Sequence, residues 1–114
     1  MNERPRYYVL LGRTPIAVDA MTWAKALNNN ICRVAHDEID GRVIVSTVFL
    51  GLDHNFGNKG DPVLFETMTL GGPLDQQMRR YCTYAQAERG HAEAVAETRA
   101  AIQRVRDLAK ISKE

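Results

Sequence analysis

RVIVSTVFL, from Arg42 to Leu50, and PVLFETMTL, from Pro62 to Leu70, are the two stretches that decide the fold of this chain. Both are rich in β-branched and aromatic residues, which predicts two β-strands. The loop between them, Gly51 to Asp61, is dense in Gly, Asp and Asn and contains one His. A loop of this length on a rigid sheet is where a small domain usually keeps its function.

The residues before Arg42 predict a β-hairpin. Asp40 and Gly41 lie between two β-prone runs, which favours a two-residue type I′ turn. With that turn, His36 lies opposite Val45. The predicted faces are Cys32, Val34, His36, Val43, Thr47 and Phe49 on one side, and Ala35, Asp37, Ile44, Ser46 and Val48 on the other.

The regions on either side of these strands predict one more strand and two helices. RYYVLL, Arg6 to Leu11, predicts a first strand that ends at Gly12. Asp19 is a good N-cap for a short helix, whose apolar face contains Trp23 as a core anchor and which ends at the asparagines 28–30. Residues 76–83 fit either a strand or a bridging segment.

The C-terminal third predicts a long helix. Thr83 and Gln86 form a capping box, and the chain from Tyr84 to about Lys110 is rich in Ala, Glu and Arg without Pro. Its apolar stripe recurs at three- and four-residue steps: Tyr84, Ala87, His91, Val95, Thr98, Ile102 and Val105. Gly90 weakens the helix and allows close approach to the sheet.

These elements predict a single α+β domain over residues 1–114. We expect an antiparallel sheet of four or five strands, one short helix, and the long helix of about residues 84–110 packed on one face. That helix is longer than a small sheet is wide, so its last turns must cover something else. We therefore expect a homodimer, formed through the second face of the sheet or through the projecting helix.

Composition narrows the possible partners and the setting. The 15 Lys and Arg nearly balance the 14 Asp and Glu, so the chain has no global field that would attract nucleic acid or an anionic membrane. The early apolar run is too short to span a membrane, and we expect a cytoplasmic protein. Cys32 and Cys82 lack CxxC spacing and predict buried free thiols.

Basic residues near the C-terminus do not form a nucleic-acid-binding pattern. They alternate with acidic residues, and aromatic residues do not interleave with them, so they predict a solvated helix face. The set comprises Arg79, Arg80, Arg99, Arg104, Arg106, Lys110 and Lys113.

A candidate site combines the loop with two residues outside it. Asp53 and His54, with Glu66 and His91, are chemically adequate for general-base or metal chemistry. The chain has no HExxH and no recognisable Ser or Cys nucleophile, so no metal site and no cofactor are predicted. The alternative is that the Asp and Asn side chains of the loop cap its turns.

Glu66 and His91 also suggest a structural pair. Glu66 lies on the predicted strand face of Leu64, Met68 and Leu70, which the long helix is expected to cover. A buried carboxylate needs a hydrogen-bond partner, and His91, Tyr81 or a loop amide would supply one.

Four motifs together resemble a widespread group of small phage and prophage proteins of unassigned function. They are STVFLGLDHNF (46–56), LFETM (64–68), GGPLD (71–75) and the combination of Tyr81, Thr83, Glu88, Gly90 and His91. The likeness extends from about Tyr7 to Val95, with Tyr84 where the group usually has Trp. The resemblance implies a phage origin and an intracellular setting, and it implies no catalytic residue.

Three functions remain open at this point. The leading one is a non-enzymatic interaction protein that binds a host or phage protein, such as an anti-CRISPR-like inhibitor of host defence. The second is a binder of a nucleotide or anion, using Asp53, His54, Asn55, Lys59, Tyr81 and Tyr84. The third is a small metal-dependent hydrolase that uses the loop from Gly51 to Asp61.

Overall fold

The computed structural model describes residues 4–29, 32–57 and 59–112. It is an α+β protein with a four-stranded and a two-stranded antiparallel sheet, one short helix and one long C-terminal helix. The long helix packs on one face of the four-stranded sheet, as the sequence predicts. The elements in chain order are β1 Tyr7–Leu11, β2 Thr14–Val18, α1 Ala20–Asn29, β3 Arg33–Ile39, β4 Val43–Phe49, β5 Phe65–Leu70, β6 Met78–Tyr81 and α2 Tyr84–Ser112.

The N-terminal strand does not stand alone. β1 pairs with β2 in a separate hairpin that sequence reasoning missed. Pro15 hid β2, because Pro lacks the N–H of a ladder residue and is tolerated only at sheet edges. After β2, the Asp19 carboxylate accepts the Thr22 N–H at 2.7 Å and caps α1, as predicted. α1 ends at Asn29, within the predicted run of asparagines 28–30, of which Asn30 lies outside the described residues.

The large sheet has the order β3-β4-β5-β6. The β3–β4 turn contains the predicted Asp40 and Gly41, with φ of 54° and 68°. Arg42 also lies outside the ladder, because Ile39 pairs with Val43. This extra residue moves His36 opposite Ser46 and Asp37 opposite Val45.

The shift corrects the predicted faces of β3. A displacement of one residue exchanges the two faces of a strand, so Asp37 lies on the helix side and exposed His36 on the other. An irregularity between Arg33 and Ala35 returns Cys32 to the side of Phe49, as predicted. The predicted strand from Pro62 begins only at Phe65, and residues 78–81 form a strand.

The core lies between the large sheet and α2. The helix contributes mainly small residues to this contact, and the sheet contributes β-branched and aromatic ones. The buried helix residues are Ala87, Gly90, His91, Ala94, Thr98 and Ala101. Opposite them lie Val43, Val45, Thr47, Phe65, Thr67 and Thr69. Small residues let the backbone of α2 approach the sheet closely, so the helix packs best on the sheet face that carries short side chains.

The capping box of α2 is confirmed. The Gln86 N–H donates to the Thr83 hydroxyl, and the Gln86 side-chain oxygen accepts the Thr83 N–H, both at 3.1 Å. The Cys82 N–H donates to the same Gln86 oxygen at 3.0 Å. The helix therefore begins where the sequence predicts, and it continues two residues beyond the predicted end at Lys110.

Candidate functional site

The loop from Gly51 to Asp61 is organised around a buried carboxylate. Asp53 is only 3% exposed, and Arg4 lies 3.1 Å from its Oδ2 atom. Its Oδ1 atom accepts the N–H groups of Asn55 at 2.8 Å and Val63 at 2.9 Å. Asp53 is therefore a structural group, with both oxygens engaged inside the protein.

The rest of the loop is held by similar internal bonds. The side-chain amide of Asn55 donates to the carbonyls of Lys59 and Asp61. The Arg4 side chain donates to the Gly60 carbonyl at 3.0 Å. Nδ1 of His54 lies 2.7 Å from the Leu52 carbonyl, so it donates there. These contacts favour the turn-capping alternative over a catalytic loop.

Removing the Asp53 carboxylate tests this structural role. We expect Asp53→Ala to lower the free energy of unfolding by about 1–2 kcal/mol, because two loop N–H groups and Arg4 lose their acceptor. Urea unfolding followed by circular dichroism measures the loss. Asp61→Ala is the matched control, since the Asp61 side chain is exposed. Equal stability of the two variants would contradict the assignment.

Glu66 does not lie under the helix. It shares a face with Met68 and Leu70, as predicted, but α2 covers the opposite face. The Glu66 carboxylate instead accepts a hydrogen bond at 3.0 Å from Arg80, its cross-strand neighbour on β6. The predicted pairing of Glu66 with His91, Tyr81 or a loop amide is therefore wrong.

His91 has different partners, in a chain of polar groups that runs from the core to the half-exposed Asp37. Its Nδ1 atom lies 2.7 Å from the Thr47 hydroxyl, and its Nε2 atom lies 2.6 Å from the Asp37 carboxylate. The Thr47 hydroxyl is 2.5 Å from that of Thr67, to which Tyr81 donates at 3.2 Å. Because Tyr81 donates to Thr67, the Thr67 hydroxyl donates to Thr47, and the Thr47 hydroxyl donates to Nδ1 of His91. The Nε2–H group of His91 then donates to Asp37.

Asp37, His91 and Thr47 follow the carboxylate–imidazole–hydroxyl order of a catalytic triad. A substrate, however, cannot reach the hydroxyl. Thr47 is 0% exposed, and its oxygen also contacts Thr67. A nucleophile must reach its substrate, and Thr47 lies beneath α2. Sequence reasoning missed Asp37 and Thr47 as partners of His91 because the predicted register placed them on opposite faces.

The proposed catalytic set is therefore not assembled. No hydrogen bond joins any two of Asp53, His54, Glu66 and His91 in the described residues, and each has other partners. Within residues 4–29, 32–57 and 59–112, no group of three or more His, Cys, Asp or Glu side chains is placed to hold a metal ion. Tyr81 and Tyr84 pack against the core cluster that contains Phe65.

The face of the large sheet opposite α2 carries three rows of side chains, and we call it the open face. Its apolar residues are Ile44, Val48, Met68, Leu70 and Met78. His36 and Glu38 lie on one edge, and Arg33, Glu66 and Arg80 lie in the row of Val48. Leu70 and Met78 are each 46% exposed. This is a contiguous apolar patch with a charged rim.

Three of the seven basic residues considered for nucleic acid, Arg79, Arg80 and Arg106, form ion pairs. Arg79 contacts Glu93 and Glu97, and Arg106 lies 2.7 Å from Asp40. Lys113 lies outside the described residues.

A cavity of about 250 Å³ lies between the N-terminal hairpin, α1 and the start of α2. Its wall is mostly aromatic and aliphatic and includes Tyr8, Trp23, Leu27, Phe49 and Tyr84. Trp23 also contacts Tyr7, with ring centroids 5.0 Å apart, and its indole N–H is buried without an acceptor among the described residues. A Cβ atom on Gly51 would lie 2.8 Å from that nitrogen, so this position requires glycine.

The two thiols are free, as predicted, but they are only partly buried. Burial raises the pKa of Cys32, and burial together with the nearby carboxylates of Asp61 and Asp53 raises the pKa of Cys82. The thiolate is the reactive form, so we expect both to react with iodoacetamide more slowly at neutral pH than cysteine in the unfolded chain. Mass spectrometry of Cys32→Ser and Cys82→Ser assigns each rate. Equal rates in the folded and guanidinium-unfolded chains would contradict this.

Comparisons with protein-family models, curated proteins and solved structures find no match for this chain. Among the described residues, no helix combines the length and apolar character needed to cross a membrane.

Proposed function

We propose that this chain is a phage-encoded interaction protein without enzymatic activity, which binds a host or phage protein through its open face in the host cytoplasm. The observation that carries the proposal is the apolar patch on that face, with Leu70 and Met78 nearly half exposed. The motif resemblance supports the phage setting, and an inhibitor of host defence is the role that we consider first.

The chemistry of the open face suits a protein partner. Met68 and Met78 are flexible and polarizable, so they adapt to the shape of an apolar surface. The charged rim, with Glu38 on one side and Arg80 on the other, would orient the partner and reject surfaces of the wrong charge. The sheet beneath is held by α2 on its other face, so the patch is presented on a rigid support.

The arrangement of titratable groups supports a non-enzymatic role. Asp53 and His91 are used inside the fold, and Glu66 is paired with Arg80. Thr47, the hydroxyl beside His91, is inaccessible. The hydrolase alternative required these groups to meet in one cleft, and it therefore has no geometric support.

Affinity capture from phage-infected cells tests the proposal when a face variant is compared with a control. We expect Leu70→Glu combined with Met78→Glu to abolish recovery of a stoichiometric protein that wild type retains, because the charges disrupt an apolar contact. Leu11→Glu is the matched control, since Leu11 is 73% exposed and lies on β1. Quantitative mass spectrometry compares the three samples. Equal recovery in all three, or no stoichiometric protein with wild type, would overturn the proposal.

The cavity beside Tyr84 supports a second candidate function, the binding of a small molecule. Its volume of about 250 Å³ and its aromatic wall fit a compact aromatic ligand better than a nucleotide. Indole is a suitable probe, and Phe49→Ala or Leu27→Trp would alter the cavity. A melting temperature that rises with indole in wild type, but not in Leu27→Trp, would support this candidate.

A further inference from the structure

The hydrogen bonds that end at His91 pass through three hydroxyl groups, and each hydroxyl can donate or accept. We call Thr47, Thr67 and Tyr81 the hydroxyl chain. The Thr47 oxygen lies 2.7 Å from Nδ1 of His91 and 2.5 Å from the Thr67 oxygen, which lies 3.2 Å from the Tyr81 oxygen. These distances fit a hydrogen bond of either direction at each step, so the geometry does not fix which way the chain runs.

The two ends of this set of contacts have different surroundings. At one end, Nε2–H of His91 donates to Asp37, whose side chain is 47% exposed. At the other end, Tyr81 lines an open groove of about 460 Å³, together with Gly90, which lies against the Tyr81 hydroxyl. Asp37 is on β3 and Tyr81 is on β6, so the contacts connect the two edge strands of the large sheet.

We propose that the hydroxyl chain reverses its direction when His91 takes up a proton. In the neutral form, Tyr81 donates inward and the chain ends at the unprotonated Nδ1. In the imidazolium form, Nδ1–H donates to Thr47, which donates to Thr67, which donates to Tyr81. The added proton comes from water and binds to Nδ1. The hydroxyls only rotate, so no O–H bond breaks, and the Tyr81 hydroxyl now donates to water in the groove.

Both forms leave every member of the chain with a partner, which is why the fold can hold either one. A buried charge is costly unless it is paired and hydrogen bonded. The Asp37 carboxylate pairs with the imidazolium at Nε2–H, and the Thr47 oxygen accepts from Nδ1–H. A charge change in the core therefore alters the hydrogen bonding of Tyr81 at the groove, which is a pH-sensitive device independent of the partner on the open face.

The other charged groups near the imidazole are engaged elsewhere. On α2, Glu88 lies one turn before it and pairs with Arg13. On β6, Arg79 faces α2 and pairs with Glu93 and Glu97. On β3, Asp37 is the charged residue of this side. The residues of β4 and β5 that face α2 are uncharged: Val43, Val45, Thr47, Phe49, Phe65, Thr67 and Thr69.

Nuclear magnetic resonance of the ¹⁵N-labelled protein tests the reversal directly. At about pH 8 we expect Nε2 of His91 to carry the ring proton and Nδ1 to carry none. In acid, where the ring signals show the imidazolium, we expect a slowly exchanging proton on Nδ1 while the α2 amides stay protected from exchange. An imidazole that stays neutral until the chain unfolds, or proton uptake that removes the protection of α2, overturns the proposal.

Removing the Tyr81 hydroxyl tests the coupling along the chain. In Tyr81→Phe the neutral form loses one donor, whereas the charged form leaves the Thr67 hydroxyl, a buried donor, without its acceptor. Urea unfolding is measured at about pH 8 and at the acid pH where His91 is charged. We expect the unfolding equilibrium constant to rise at least about fivefold more in the charged form.

Tyr84→Phe is the matched control for Tyr81→Phe. It removes a hydroxyl from the same core cluster but outside the hydroxyl chain, so its effect should be the same at both pH values. A merely structural role of the Tyr81 hydroxyl would also give a pH-independent effect. An equal loss for Tyr81→Phe at both pH values, or a larger loss in the neutral form, overturns the proposal.

Discussion

His91→Ala is expected to lower the free energy of unfolding by about 2–4 kcal/mol, the largest effect predicted for a polar residue here. The imidazole is 5% exposed and joins α2 to β3 and β4 through Asp37 and Thr47. Its removal leaves a cavity and a buried hydroxyl without its acceptor. Guanidinium unfolding followed by tryptophan fluorescence and by circular dichroism measures the loss.

Glu66→Gln is the matched control for His91→Ala. The Glu66 and Arg80 side chains are 17% and 41% exposed, and partly exposed pairs contribute at most about 1 kcal/mol. Glutamine also keeps an oxygen that accepts from Arg80. A loss for Glu66→Gln equal to that for His91→Ala would contradict the assignment of α2 to the Thr47 face of the sheet.

Local signals in the sequence predicted the ends of the helices well. Asp19 and the Thr83–Gln86 pair act through backbone groups within three residues, so no distant contact changes their role. The β-propensity of the stretch Arg42 to Leu50 was equally reliable, since β4, Val43–Phe49, lies within it. These features needed no knowledge of the tertiary structure.

The pairing of elements was harder to predict. The position of Arg42 outside the ladder reversed the faces of β3, and this single residue decided whether Asp37 or His36 meets α2. Which face of β5 the helix covers depends on size matching between Thr67 and the small residues of α2. The small residues of α2 and the position of Thr67 can be read from the sequence. The prediction instead placed the helix over the face of Met68 and Leu70, because those residues are apolar.

The predicted site residues were chosen by chemical type, and type alone does not report proximity. Asp53 and Asn55 were selected as catalytic or ligand-binding candidates, whereas their partners in the structure are loop N–H groups and carbonyls, as the turn-capping alternative predicts. His91 was also important, for packing. The residues of the open face were visible as an apolar surplus, and only the position of α2 shows that no element among the described residues covers them.

Gly90→Ala is expected to destabilise the protein by about 1–3 kcal/mol, although alanine favours a helix interior by about 1 kcal/mol over glycine. A Cβ atom at residue 90 would overlap the Tyr81 ring at its Oη, Cε1 and Cζ atoms. The ring would have to leave its place beneath α2 and lose its hydrogen bond to Thr67. Thermal and urea unfolding of the purified variant measure the net effect.

A double-mutant cycle separates two contributions to the free energy of unfolding of Gly90→Ala. The helix propensity of alanine stabilises the variant, whereas the overlap with the Tyr81 ring destabilises it. In a Tyr81→Ala background the ring is absent, so Gly90→Ala should become stabilising by up to about 1 kcal/mol. Ala92→Gly, at an exposed position of the same helix, calibrates the propensity term and should cost about 1 kcal/mol. If Gly90→Ala had the same effect with and without Tyr81, the glycine would serve the helix backbone alone, and the close approach of α2 to β6 would not be what requires it.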